Sequence, residues 1–286
     1  MKKNQQFKTL ILCLFALVCL GTVNAQPTIY QLPNGGFEDW YTDSGGNNGS
    51  TGTCPTGFNS YHSAYCTTTL LIGTCQGVSQ RCENVTDIRP GSSGSHALRI
   101  FSNTVIGVRA NGNVTTGRIY MGSMTANSSS NYNYVDYTLT PPKYCQEITG
   151  TPDSLRFWVK YLPGRNGTTN TTDKGRIRVY VHGKDPCRDA PQYPSGMTEK
   201  QLYYGKAMKE FMKEDGEWHS YQVPFEYTGD NSIKNANGNY YVLLSMTTNA
   251  TPGGGANNAD QVWFDDVEFI YSAWLTDIRI NGVTMN

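Results

Sequence analysis

Val262-Trp-Phe-Asp-Asp-Val-Glu-Phe-Ile-Tyr271 is an apolar strand with two adjacent carboxylates in its middle. Neighbouring negative charges repel each other and lose hydration on burial, so a positive partner, most simply a hard cation, is expected at Asp265 and Asp266. The natural counterpart lies at the other end of the chain, in Asn34-Gly-Gly-Phe-Glu-Asp-Trp40. If these two segments meet, the chain is one closed β-sandwich with an ion at the seam.

The stretches between them have an all-β rhythm. Gly, Asn, Ser and Thr punctuate runs rich in β-branched and aromatic residues at 95–101, 117–121, 132–138, 155–161, 177–182, 218–227, 240–246 and 262–271. No helical period alternates with them, which favours a sandwich or jelly roll over any α/β arrangement. One stretch dissents: Glu199 to Lys213 holds good helix formers with Leu202, Ala207, Met208 and Phe211, and reads as either a short helix or an edge strand.

Met1 to Ala25 reads as a secretory signal peptide, with Lys2, Lys3 and Lys8 ahead of an apolar run from Leu10 to Leu20 and small residues at its end. Neither Cys13 nor Cys19 follows the small residue that lipoprotein processing needs, so the expected product is a soluble export starting at Gln26, in the periplasm, at the cell surface or secreted. Losing three lysines makes a chain of balanced charge mildly acidic. Its basic residues are scattered singly, which argues against nucleic acid and anionic membrane as partners. No later segment is long and apolar enough to insert in a membrane. The expected organisation is a signal at 1–25, one β-sandwich at 26–271 and an extension at 272–286.

Cys54, Cys66, Cys75, Cys82, Cys145 and Cys187 remain after cleavage, an even number that in an exported chain predicts disulfides. None forms a C-x-x-C pair. Cys145 and Cys187 flank two alternating runs joined by the polar loop from Pro163 to Gly175, and a hairpin folded there would bring them together. The other four allow three connectivities, of which Cys54 with Cys66 and Cys75 with Cys82 is the one adopted.

The ordered set Leu32-Pro-Asn-Gly-Gly-Phe-Glu-Asp-Trp40, Cys54-Pro-Thr-Gly-Phe-Asn-Ser60, Ser93-Gly-Ser-His-Ala-Leu-Arg-Ile100, Ala110-Asn-Gly-Asn-Val-Thr-Thr-Gly-Arg-Ile119, Leu155-Arg-Phe-Trp-Val-Lys-Tyr161, Trp218-His-Ser-Tyr-Gln-Val-Pro-Phe225 and Val262-Trp-Phe-Asp-Asp-Val-Glu-Phe269 resembles the putative carbohydrate metabolism domain of exported Gram-negative proteins. The likeness spans about 31–271. It implies a galactose-binding-like jelly roll tied to glycan uptake or breakdown, and brings no assigned catalytic residue. The chain departs from that pattern in its cysteine-bearing insertion, 54–82, and in its tail. There Trp274, Leu275, Ile278, Ile280 and Val283, with an Asn281-Gly282 turn, read as the opening hairpin of a further β module or as a strand docked on the sandwich. The docked reading is favoured, and an undocked tail would be free to recruit a partner by strand addition.

For the ion, Glu38, Asp265 and Asp266 supply carboxylate oxygens, and the bends at Asn34, Gly36 and Ser95 can add backbone carbonyls. Together they suit the oxygen-rich shell of calcium, expected in a structural role. The alternative is that these acids bond backbone amides or an arginine such as Arg99.

For a glycan partner, flat aromatic faces and planar hydrogen-bonding groups are expected, since sugars stack their C–H faces on rings while their hydroxyls are bonded in the ring plane. The candidates are Tyr41, Tyr120, Tyr132, Tyr134 and Tyr161, with Arg118, Arg178 and Asn111 as polar partners. Tyr61 and Tyr65 also lie in polar contexts.

Hydrolysis needs two carboxyls across a glycosidic bond. No E-x-D-x-x-E strand, G-x-S-x-G elbow or H-E-x-x-H helix is present, and the four histidines are dispersed. Glycan binding is therefore the leading expectation, with a glycoside hydrolase and a structural or adhesin module as alternatives.

Overall fold

Val262 and Phe264 point into the core of the protein, and so do Val267 and Phe269, although the two pairs differ in parity along one strand. A bulge reconciles them. In the computed structural model Trp158 pairs with Asp265 while Arg156 pairs with Glu268, so the closing strand carries one residue more than its partner. Asp266 takes up the extra step with φ of 45°. The two adjacent acids sit where the strand changes the face it buries.

The structure describes residues 30–43, 51–66, 78–105, 108–136, 138–139, 143–164, 174–183, 187–189, 203–212, 215–228, 234–235, 237–253, 260–272, 278–280 and 283–285. The signal peptide, Cys75, residues 199–202 and Trp274 and Leu275 lie outside them. In chain order the strands begin with β1 (Trp40–Asp43), β2 (Gly52–Pro55), β3 (Tyr65–Cys66), β4 (Cys82–Val85), β5 (Ala97–Phe101), β6 (Asn103–Val105) and β7 (Val108–Ala110). Next come β8 (Asn113–Thr115), β9 (Arg118–Met121), β10 (Asn131–Tyr134), β11 (Gln146–Ile148), β12 (Ser154–Leu162), β13 (Gly175–His182) and β14 (Gly205–Phe211). The series closes with β15 (His219–Pro224), β16 (Glu226–Tyr227), β17 (Tyr240–Thr247), β18 (Gln261–Ile270), β19 (Ile278–Ile280) and β20 (Val283–Met285). No α-helix occurs among the described residues.

Two sheets form the jelly-roll sandwich. One runs β15-β12-β18-β5-β4; the other runs β11-β17-β13-β14-β16, with β8 added on β17. Alternation along each strand delivers one apolar face to the space between them: Leu155, Phe157 and Val159 from one side meet Ile177, Val179, Val181, Val242 and Leu244 from the other. Within the described part of the stretch read as helix or edge strand lies β14, paired on both sides. Its apolar residues Ala207 and Phe211 are four apart, a spacing that fits both periods, and the core claims them in the strand.

The expected hairpin between 155–161 and 176–182 does not exist, because β12 and β13 belong to opposite sheets and face each other across the core. Cys145 and Cys187 both reach the small apolar cluster of Val135, Tyr180, Tyr203 and Leu243, yet neither forms a disulfide. The adopted pairing of the other four is also corrected. Cys66 is disulfide-bonded to a partner outside the described residues, whereas Cys54 and Cys82 are buried thiols that face each other. The tail forms its own hairpin: β19 pairs with β20, Ile280 opposite Val283, and neither pairs with a described sandwich strand.

Candidate functional site

The two segments at the seam do meet. Val267 N donates to Gly35 O at 2.8 Å, and the Gln31 side chain bonds Phe269 on both its amide and its carbonyl. The approach is close enough that a Cβ on Gly35 would stand 2.1 Å from Val267 O, so only glycine fits there. The three acids nevertheless separate. Glu38 accepts from the amides of Ser95 and His96 and from the Ser95 hydroxyl. Its burial would push its pKa up, but those donors outweigh it and hold the carboxyl below the ordinary range. Asp266 is gripped by Nε and Nη2 of Arg89. Asp265, fully buried, accepts from the amides of Arg89 and Asp266, and loss of solvent raises its pKa to about 6. Among the described residues no three acidic, histidine or cysteine side chains converge as metal ligands. The residues present fit an arginine and amide network better than calcium: the expected positive partner at Asp266 is a guanidinium, from Arg89 rather than Arg99.

A different part of the molecule offers a cavity. Beside the six-stranded sheet lies a small third sheet in the order β10-β9-β3. Between this layer, β7, and the ends of β13 and β17 runs a groove of about 980 Å³, part of it open to solvent. Apolar side chains contribute Val78, Ile119, Met121, Met124 and Pro252; polar ones include Asn111, Asn131, Asn133, Asp189 and Asn249, with Arg109 and Arg176 as cations.

Of the tyrosines expected to bind, Tyr120 and Tyr132 line this groove, but not as open platforms. Cross-strand register stacks Tyr65, Tyr120 and Tyr132 in a ladder, with centroids 5.7 and 4.8 Å apart. Tyr120 therefore stacks on a tyrosine at each side, Tyr132 has the Arg188 guanidinium 4.7 Å from its ring, and the ladder offers its edges. Tyr134 packs edge-on against both rings and does not line the groove.

The other expected ligand residues scatter. Tyr161 is core, against Phe211. Tyr41 is half-buried and donates to Phe58 O. Arg118 is a strut: its Nε donates to Ser63 O, its Nη1 pairs with Asp136 at 3.3 Å, and its guanidinium lies 4.8 Å from the Tyr144 ring. Asn111 does line the groove, with Nδ2 on Asn249 O and Oδ1 accepting from Gly253 N. Arg178 stands just behind, paired with Asp189 at 3.3 Å.

Two groove residues that the sequence reading passed over keep unmet hydrogen-bonding capacity. Among the described residues the buried Nε of Arg176 finds no acceptor, and the Oδ1 of Asn249, which is 2 % exposed, finds no donor. Arg176 donates through Nη1 to Ala250 O at 2.9 Å. Desolvation, with Arg178 close by, pushes its pKa down to about 10. The alternation Arg176, Arg178, Tyr180, His182 was the available signal. It is a polar and aromatic stripe on the face of β13 opposite Ile177, Val179 and Val181.

No protein-family model matches the chain, and no curated protein does. Among solved structures, that of a putative glycoside hydrolase from Bacteroides vulgatus is 18 % identical, covers 85 % of this chain and 98 % of its own, and superposes with a TM-score of 0.56. A putative glycoside hydrolase from Bacteroides thetaiotaomicron is 17 % identical over 87 % of this chain and 72 % of its own, with a TM-score of 0.49. The family 11 carbohydrate-binding module of Clostridium thermocellum, solved with a β-1,3-1,4-mixed-linked tetrasaccharide, is 10 % identical over 86 % and 98 %, with a TM-score of 0.30. The first of these shares the fold.

Proposed function

We propose that this chain is an exported carbohydrate-binding module that holds its glycan in the groove between the tyrosine ladder and the edge of the six-stranded sheet. The observation that carries the reading is the pair of unpartnered groups in the groove, the donor Arg176 Nε and the acceptor Asn249 Oδ1. A buried polar atom without a partner costs free energy unless something else meets it, and a sugar's hydroxyls both donate and accept. Met121, Met124 and Pro252 supply apolar surface for C–H faces. The structure from Bacteroides vulgatus that shares the fold, described as a putative glycoside hydrolase, supports a carbohydrate setting.

Binding is favoured over hydrolysis by the carboxyl inventory. Asp189 is the one carboxylate among the groove's described residues, and Asn133 and Arg178 already bond it. Glycoside hydrolysis asks for two, one on each side of the scissile bond.

Affinity electrophoresis of the mature chain through gels cast with plant and microbial polysaccharides tests the reading. Retardation by at least one glycan is expected, with loss of that retardation in Ala126→Trp, which fills the rim of the groove. Migration unaffected by every glycan, or binding untouched by Ala126→Trp in a chain that still folds, overturns it.

A further inference from the structure

Arg176 and Arg178 follow each other on the same face of β13, and their electrostatic situations differ. Arg178 has its carboxylate: Nη2 lies 3.3 Å from Asp189 Oδ2 and donates to Asp189 O at 2.8 Å. That carboxylate is then spent, because Asn133 donates to it from its amide at 2.7 Å and from its side chain at 3.0 Å. Among the described residues Arg176 makes no ion pair. Its cross-strand neighbours are Glu210 on β14 and Thr247 on β17, and Glu210 is met by Lys174 at 3.3 Å. Arg109 brings a second cation to the same groove from β7. Among the described residues that line the groove, the cations Arg109 and Arg176 outnumber the one carboxylate, Asp189.

A desolvated guanidinium held by one neutral carbonyl, with its Nε bare, is half of a fork geometry that planar oxyanions complete with two parallel bonds. We propose that the glycan taken by this groove is acidic, a chain containing hexuronic acid whose carboxylate is received by Arg176 while Asn249 Oδ1 accepts from a neighbouring hydroxyl. The inference rests on the groove being a glycan site. A carboxylate is preferred to a sulfate ester because one planar, two-oxygen acceptor matches the edge of Arg176 whose Nε has no acceptor among the described residues.

Titration calorimetry of the mature chain separates the two readings, using polygalacturonate, the same polymer after chemical reduction of its carboxyl groups, a neutral galactan and dextran sulfate. Binding to polygalacturonate is expected to fall roughly tenfold or more on carboxyl reduction, and likewise in Arg176→Gln. Arg176→Lys, which keeps the charge and loses the fork, is expected between the two. Equal binding of the reduced polymer, with Arg176→Gln unchanged, overturns the acidic specificity and leaves the glycan site standing. Binding to dextran sulfate alone overturns the uronate in favour of a sulfate ester. Absence of binding to all four polymers and to the gel-cast polysaccharides removes the glycan site and the specificity together. Should Arg176→Gln fail to fold, the comparison of the two polygalacturonates on the unaltered chain decides.

Discussion

The sulfur atoms of Cys54 and Cys82 lie 3.6 Å apart on strands β2 and β4, with Gln80 Nε2 at 2.9 Å from one and 3.0 Å from the other. Both side chains are buried, and burial holds the Cys54 thiol far above its ordinary pKa, so reaction with external reagents is slow while reaction with each other needs little movement. Incubation with oxidised glutathione is expected to join them. Both thiols lose their protons, and the two electrons reduce glutathione disulfide to two thiols. Non-reducing peptide mapping should recover a peptide linking 54 to 82, and unfolding should rise by about 3 kcal/mol relative to the reduced chain. Recovery of both peptides unlinked after full oxidation would show that the strands do not permit the bond.

Arg89 also has a testable weight. Its guanidinium meets Asp266 and lies 5.2 Å from the Trp158 ring, tying the 78–105 segment to the bulge of β18. Arg89→Gln is expected to cost about 1–3 kcal/mol in urea unfolding, since Asp266 would lose its charged partner. EDTA is expected to leave the melting temperature of the unaltered chain where it was. A drop on chelation would mean that an ion, not Arg89, neutralises the acids at the seam.

The pH dependence of stability should carry the signature of Asp265. Its folded pKa of about 6 lies above the unfolded value near 3.9, so between these pH values the folded chain holds a proton that the unfolded chain has released. Stability from this group therefore falls as pH rises from about 4 to about 6 and is level above that window, by up to about 3 kcal/mol. Asp265→Asn removes the titration, so its unfolding free energy should gain on that of the parent across the window. A constant difference between the two proteins from pH 4 to 7 would refute the assignment.

The sequence made some of this legible and hid the rest for identifiable reasons. The β character and the strand positions follow from alternation and turn residues, which are local signals, whereas the meeting of 34–40 with 262–271 was expected from the adjacent acids of β18. Tyr120, Tyr132 and Asn111 line the groove, which polar, Gly-flanked strands such as 118–121 border. Alternation reports which residues face inward but not which sheet a strand joins, hence the mistaken pairing of β12 with β13 across their long polar loop. Tyr161 shares the parity of Leu155, Phe157 and Val159 and is 2 % exposed, so alternation itself placed it on the core side. Arg176 escaped notice because its significance is a missing partner, and a vacancy in a charge network exists only once the neighbours are in place.

Deleting residues 274–286 is expected to leave the urea midpoint unchanged within error. β19 and β20 satisfy each other and pair with no described strand of the sandwich. A lowered midpoint would show that the tail contributes to the sandwich by contacts other than strand pairing.

The bulge at Asp266 works as a frameshift within a strand. Upstream of it the even-numbered residues Val262 and Phe264 are read by the core; downstream the odd-numbered Val267 and Phe269 are. Were Asp266 drawn into regular pairing with β12 instead of bulging, the last third of β18 would turn inside out, presenting Val267 and Phe269 to water and driving the carboxylate of Glu268 toward the apolar interior. The damage would not stay in the strand, because Gly35 and Gln31 bond the backbone of Val267 and Phe269 in their present phase. Both ends of the chain are keyed to a single inserted residue, so the sandwich can close in one phase and not in the other.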